Sequence, residues 1–314
     1  MDILYFLSQQ VMFFSIPLLI AALGGMFSEA GGVVNIAIEG IMIMGAFAGV
    51  LFIGTVQAHA PGMPGQAALL AALAVSALAG ALFSTAHAFA SVRMKADQVV
   101  SGTALNLFAP AFAIFTARMT QPSGVQQISF ADEFRVASVP VLGGIPVLGS
   151  LLFQNTYLTT LAGFVLLAAS WAALYKTRFG LRLRSCGQNP DAARAAGVNV
   201  RAMRYAGVLI SGALAGMGGL AFIIPTSTNF NATVSGYGFL ALAVLIFGQW
   251  NPKRIFLAAF FFGLMKAVSA SYQGIPFLPN IHGPVYSIIP YAATLIVLAF
   301  TSRDSAPPKG LMLE

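Results

Sequence analysis

Long blocks of Ala, Leu, Ile, Val and Phe recur along this chain with almost no charge inside them. Most are of the length that a helix needs to cross a bilayer core of ~30 Å, about 20 residues. Only 8% of the 314 residues are charged, while 58% are hydrophobic. A soluble domain carries roughly 25% charged residues. Sixteen Lys and Arg with nine acids cannot cover a water-facing surface of this size. The apolar residues therefore face lipid, and the expected fold is an all-α polytopic membrane protein forming one transmembrane domain over 1–314.

The lone cysteine, Cys186, excludes disulfides within the chain, and no zinc or redox spacing is present, so no metal site is expected. The formal charge of +7 does not mark a nucleic-acid partner. In a membrane protein it bears on which loops face the cytoplasm. The start, "MDILYFLSQQ", has no basic n-region and no cleavage site after its first apolar run, which argues against a removable signal peptide.

Spans are expected near 11–27, 34–56, 66–91, 98–118, 157–175, 205–224, 254–272 and 284–301, with a short apolar piece at 238–248 as a ninth. That piece is too short to cross unaided, so it reads as a half-helix or as one lengthened by its Gly-rich flank. The count is about nine, between 8 and 10. If 176–204 is cytoplasmic, every Lys and Arg except Arg118, Arg135 and Lys266 lies inside, as the positive-inside rule requires. The N-terminus is then outside and the tail, 302–314, cytoplasmic. A polar connection at 119–156, rich in Pro and Gly, lies outside and divides a first half, 11–118, from a second, 157–301.

The segment 176–204 holds Arg178, Arg182, Arg184, Arg194, Arg201 and Arg204 against one acid, Asp191. Within it "QNPDAARAAG" reads as a short helix. Asn189 suits the N-cap and Pro190 the first helical position. Asp191 meets the positive end of the dipole, and Gly197 supplies a left-handed stop. Two turns are too few to be stable alone, so the helix must dock. A basic loop resting on anionic headgroups is the plain alternative. Headgroup binding, however, needs no capped, Ala-rich helix, whereas insertion into a partner's groove does.

"FSEAGGVVNIAIEGIMIMGAFAG", "ADQVVSGTALNLFA", "GLRLRSCGQNPDAARAAGVNV" and "GYGFLALAVLIFGQWNP" together resemble the inner-membrane permeases of ABC importers, of the ribose, galactose and branched-chain amino-acid type. The likeness is strongest to simple-sugar and nucleoside permeases that pair with a second, larger permease, and it covers about 11–301. It implies that Asn189, Pro190, Asp191, Ala192, Ala193, Ala196 and Gly197 contact a cytoplasmic ATPase. It also implies a partner permease, usually as a heterodimer, an external binding lipoprotein or periplasmic protein, and residence in a bacterial cytoplasmic membrane. No lysine sits in a phosphate-binding loop, so the chain is expected to be no enzyme and to bind no cofactor. ATP and Mg²⁺ would belong to the partner.

Pathway candidates come from polar residues in apolar surroundings. Glu39 is costly at membrane depth and faces the interior or a wet cavity unless it snorkels or pairs with Arg93 or Lys95. Asn35, four residues earlier, would share its helical face, and Gly31–Gly32 permits a chain break of the kind that builds transporter sites. "VSGYGFLALAVLIFG" repeats this pattern in the second half, placing Tyr237 and Phe239 opposite Asn35 and Glu39 if the halves are related. Thr103 and Asn106 are either interhelical hydrogen bonders or solute contacts. Phe108 and Phe112 read first as packing, Gly212 and Gly216 as a close-approach helix face, and Lys266 as snorkelling outward. His59, His87 and His282 show no ligand spacing. The function expected is an ABC importer permease for nucleosides or simple sugars. The rivals are a branched-chain amino-acid permease and a stand-alone secondary transporter with Glu39 as its ion site.

Overall fold

The computed structural model describes residues 2–60, 62–121, 124–139, 142–145, 149 and 154–272, then 286, 288–290, 292–293, 308 and 310–311. Helices α1 (Asp2–Ala30), α2 (Ile38–His59), α3 (Gly65–Ala88), α4 (Gln98–Thr120), α5 (Leu158–Lys176), α8 (Val200–Thr226) and α10 (Pro252–Ser271) are long and apolar enough to cross a membrane. Between them lie α6 (Arg178–Gln188), the six-residue α7 (Pro190–Ala195) and the half-length α9 (Tyr237–Phe247). A π-helical turn at Phe89–Arg93 extends α3. Four short strands, β1 (Ile128–Ser129), β2 (Arg135–Ser138), β3 (Gln154–Tyr157) and β4 (Asn229–Phe230), and a 3-10 turn at Leu142–Gly144 lie in the connections. The expected spans are present with longer ends at α1 and α8. Of the span expected at 284–301 only 286, 288–290 and 292–293 are described, and His282 lies outside the described residues.

The bundle is built around α1 and α8. In the most apolar stretch of α1 94% of residues are enclosed, against 17% for α4, which therefore lies at the edge. Lipid offers helices no hydrophobic drive to associate, so close approach and dispersion must hold them together. Helix α8 achieves this with glycines. A methyl group at Gly212 would collide with the Ser84 hydroxyl, at Gly216 with the Ser76 carbonyl, and at Gly219 with the Met42 carbonyl. The Gly212/Gly216 face is thus occupied by α3 and α2 of the same chain.

One end of the bundle gathers the basic residues. Gly187 packs on the carbonyl of Ala30, and the Gly310 N–H donates to the Gly187 carbonyl at 2.8 Å. The Trp250 indole N–H donates to Glu29 at 2.6 Å, bringing the α9–α10 turn to the same end. The segment 176–204, Arg93, Lys95, Lys253, Arg254 and the tail near Gly310 therefore share one face, as the charge-based threading requires. At the opposite face β2 pairs with β3, and Tyr157 donates to Asp132 at 3.0 Å. Burial, reinforced by that carboxylate, pushes the Tyr157 phenol up to about 12, so it stays a donor at any physiological pH.

Candidate functional site

Two interruptions of helical structure meet inside the bundle. The first follows α1, whose last residue, Ala30, is succeeded by a turn with Gly32 in a left-handed conformation (φ 87°), and 33–37 are non-helical. Freed backbone groups at membrane depth must find partners within the protein. Gln98 Oε1 accepts from the Val34 N–H at 2.7 Å, and His87 Nε2 lies 2.9 Å from the Val34 carbonyl. Asn106 bridges the break's far end, accepting from the Gly40 N–H at 2.7 Å and donating to the Ile36 carbonyl at 2.8 Å. His87, given no role by its spacing, is thus a strut of the break.

This geometry corrects one expectation. Helix α2 starts at Ile38, so Asn35 lies in the break and shares no helical face with Glu39. Asn35 is fully buried and donates to Ser211 Oγ at 2.8 Å. Moreover, α2 is a complete helix, so only the second interruption yields a half-helix.

The second interruption is the strap 227–236 leading into α9. Gly236 is left-handed (φ 77°) and starts the helix without a side-chain cap of its own. Glu39 supplies one from α2: its carboxylate accepts from the Gly236 N–H at 3.0 Å and the Gly238 N–H at 2.6 Å. A carboxylate on unpaired N–H groups at the positive end of a helix is a stabilising arrangement. Glu39 therefore bonds to backbone rather than to Arg93 or Lys95. A Cβ on Gly238 would clash with the Glu39 backbone, so the two breaks are in van der Waals contact.

The remaining candidates divide into buried and exposed. Tyr237 is buried against Phe222, ring centroids 4.1 Å apart, with Lys266 Nζ 5.6 Å from its ring. Lys266 thus turns towards the bundle rather than outward. Thr103 is exposed, its hydroxyl bonded to its own helix at Val99, and Phe239 is 52% exposed. Phe108 and Phe112 stack at 5.6 Å, and Phe112 meets Phe47, which meets Phe230 of β4.

On the basic face α7 forms as its residues dictate. Asn189 Oδ1 accepts from the Ala192 N–H at 3.0 Å, Pro190 occupies the first position, and Asp191 pairs with Arg194 at 2.8 Å. Gly197 is left-handed at φ 79°. Pro190 and Ala193 are buried, the latter in a small cluster with Cys186 and Val200, so the helix has a seat within its own chain. Asp191, Ala192, Arg194, Ala195, Ala196 and Gly197 remain exposed. Beside it opens a cleft of about 530 Å³ lined by Lys95, Asp97, Arg194, Arg201 and Arg204. Burial pushes the Cys186 thiol up, which leaves it inert. Among the described residues no His, Cys, Asp and Glu cluster could hold a metal ion.

A helical membrane bundle with two breaks in contact, a half-helix and a small capped helix displayed on a basic face is the architecture of a transport permease. The chain belongs to the family of the branched-chain amino acid transport system permease component, whose match spans residues 8–298. It is 42% identical to the nucleoside ABC transporter permease protein NupC of Lactococcus lactis, covering 96% of this chain and 93% of the relative. It is also 42% identical to the guanosine ABC transporter permease protein NupQ of Bacillus subtilis, covering 98% and 96%. A putative glucose ABC transporter permease protein of Haloferax volcanii, TsgC13, is 29% identical over 90% of this chain and 87% of its own. No solved structure matches. The resemblance carried by the four sequence motifs is borne out.

Proposed function

We propose that this chain is the transmembrane permease of an ATP-binding-cassette importer for nucleosides. The observation that carries the proposal is 42% identity, over nearly the full length, to two permeases named for nucleoside and guanosine transport. Simple sugars stand second through the glucose-named relative.

The basic face is cytoplasmic in this reading, and so is the tail. There α7 is the coupling element. Its buried Pro190 and Ala193 fix it to α6 and α8, while Ala192 and Ala196 offer a small-residue surface to an ATPase groove. A partner ATPase binds ATP and Mg²⁺ and closes as a pair. The helix then moves as a rigid lever, and this permease and a second one alternate access to a shared path. An external binding protein supplies affinity. Asn35 and Asn106 hold the first break in place, Glu39 ties it to the second, Tyr237 packs against α8, and Thr103 and Phe239 face the path.

Copurification tests the coupling role. Ala196→Trp, at an exposed position, should leave the permease folded but abolish recovery of the ATPase with it. Full ATPase recovery and full uptake with this variant would rule out α7 as the contact.

A further inference from the structure

The strap 227–236 runs down the side of α2. Gln57, near one end of α2, exchanges hydrogen bonds with the backbone of Ala131, and the Phe130 N–H donates to the Thr228 carbonyl at 3.0 Å. Further along, Phe230 packs on Phe47, centroids 6.4 Å apart. At the other end Gly236 is bonded to Glu39. From Gln57 to Glu39 the helix rises about 27 Å at 1.5 Å per residue. The strap therefore descends through much of the membrane as irregular chain.

Its side chains alternate. Phe230, Ala232 and Val234 are buried against the bundle, while Asn231 and Ser235 are exposed and Thr233 half-exposed. Thr228 and Asn229 above, and Phe239 below, are exposed as well. Holding this pattern requires left-handed backbone at Ala232 (φ 56°), Ser235 (φ 53°) and Gly236. For a residue with a Cβ that costs about 1–2 kcal/mol. Non-helical backbone at membrane depth does not face lipid; it is buried in protein or lines water.

We propose that this polar edge is the solute-recognising wall of the path, with Asn229, Asn231, Ser235 and Phe239 as its contacts. The Asn231 amide and the Ser235 hydroxyl both donate and accept, Asn229 adds an NH₂ donor beside the oxygen that accepts from Ser129 Oγ at 2.6 Å, and the exposed Phe239 ring offers a stacking face. Residues 227–239 carry no charge. The wall fits a neutral ring solute edged with hydrogen-bonding groups, such as a nucleoside, and gives no counter-charge to a zwitterion. The ligand class rests on the nucleoside reading; the lining itself does not.

Cysteine accessibility in the assembled importer, reconstituted in proteoliposomes, tests it with a membrane-impermeant methanethiosulfonate. The buried Cys186 gives a quiet background. Asn231→Cys and Ser235→Cys should react at least about tenfold faster than Val234→Cys, whose side chain faces the bundle. Guanosine with the binding protein should slow them. Thr228→Cys provides a further exposed position if either variant fails to assemble. Reaction no faster than at Val234→Cys would overturn the wall. Fast reaction slowed by glucose but not guanosine would keep the wall and sink the nucleoside reading. Uptake should fall about tenfold in Asn231→Leu, which loses a hydrogen bond to solute, and return in Asn231→Gln.

Discussion

Glu39 accepts from two backbone N–H groups of another helix, and this sets what its substitution should do. Gln in its place keeps one acceptor oxygen and turns an NH₂ towards a donor. Leaving a buried N–H unmade costs about 1–3 kcal/mol. Glu39→Gln should therefore lower the unfolding temperature in detergent and reduce uptake. Uptake by the wild-type importer should be indifferent to a protonophore while ATP is supplied. A stand-alone ion-coupled transporter predicts the reverse, with stability unchanged and uptake lost on collapsing the gradient. At the other end of the chemistry, Asn189→Ala should weaken α7 by about 1 kcal/mol, read as faster amide exchange at Ala192, and Asn189→Asp should restore it. Asn189, Pro190 and Gly197 were legible in the sequence because capping is local. The struts of the first break were not, since Asn106, His87 and Gln98 reach partners 70, 53 and 64 residues away.

Among the elements, α8 depends on surfaces without side chains. Gly219→Leu would push a branched side chain into the Met42 carbonyl, and overpacking of this kind costs about 1–3 kcal/mol. Reduced yield and an earlier thermal transition should follow. Gly197→Ala has open space around its Cβ and should be penalised only through its positive φ. The spacing of Gly212 and Gly216 announced a packed face but not its partner, because small residues suit any close neighbour. Helix α9 was visible as an apolar piece too short to span, flanked by glycine. That Glu39 caps it could not be read, since 197 residues separate the carboxylate from Gly236. The strap was hidden for another reason. Its alternation over 230–235 is short and mixed with turn residues, so nothing in the composition announces a crossing.

For the whole molecule, hydropathy and charge placement predicted the bundle and its basic end, because the bilayer penalises every exception. The contacts of Gly187 with Ala30 and Gly310 then bring both halves and the tail to that end. A reporter fused after Glu314 should accordingly lie on the same side as the bound ATPase. In the proposed function the whole acts with a partner permease, an ATPase and a binding protein on one solute class. The most direct measurement is uptake of labelled nucleosides and sugars by proteoliposomes holding this chain with those partners, and by proteoliposomes holding this chain alone. Nucleoside uptake that requires ATP and every partner is the predicted result; uptake by this chain alone, or of sugars in place of nucleosides, would contradict it.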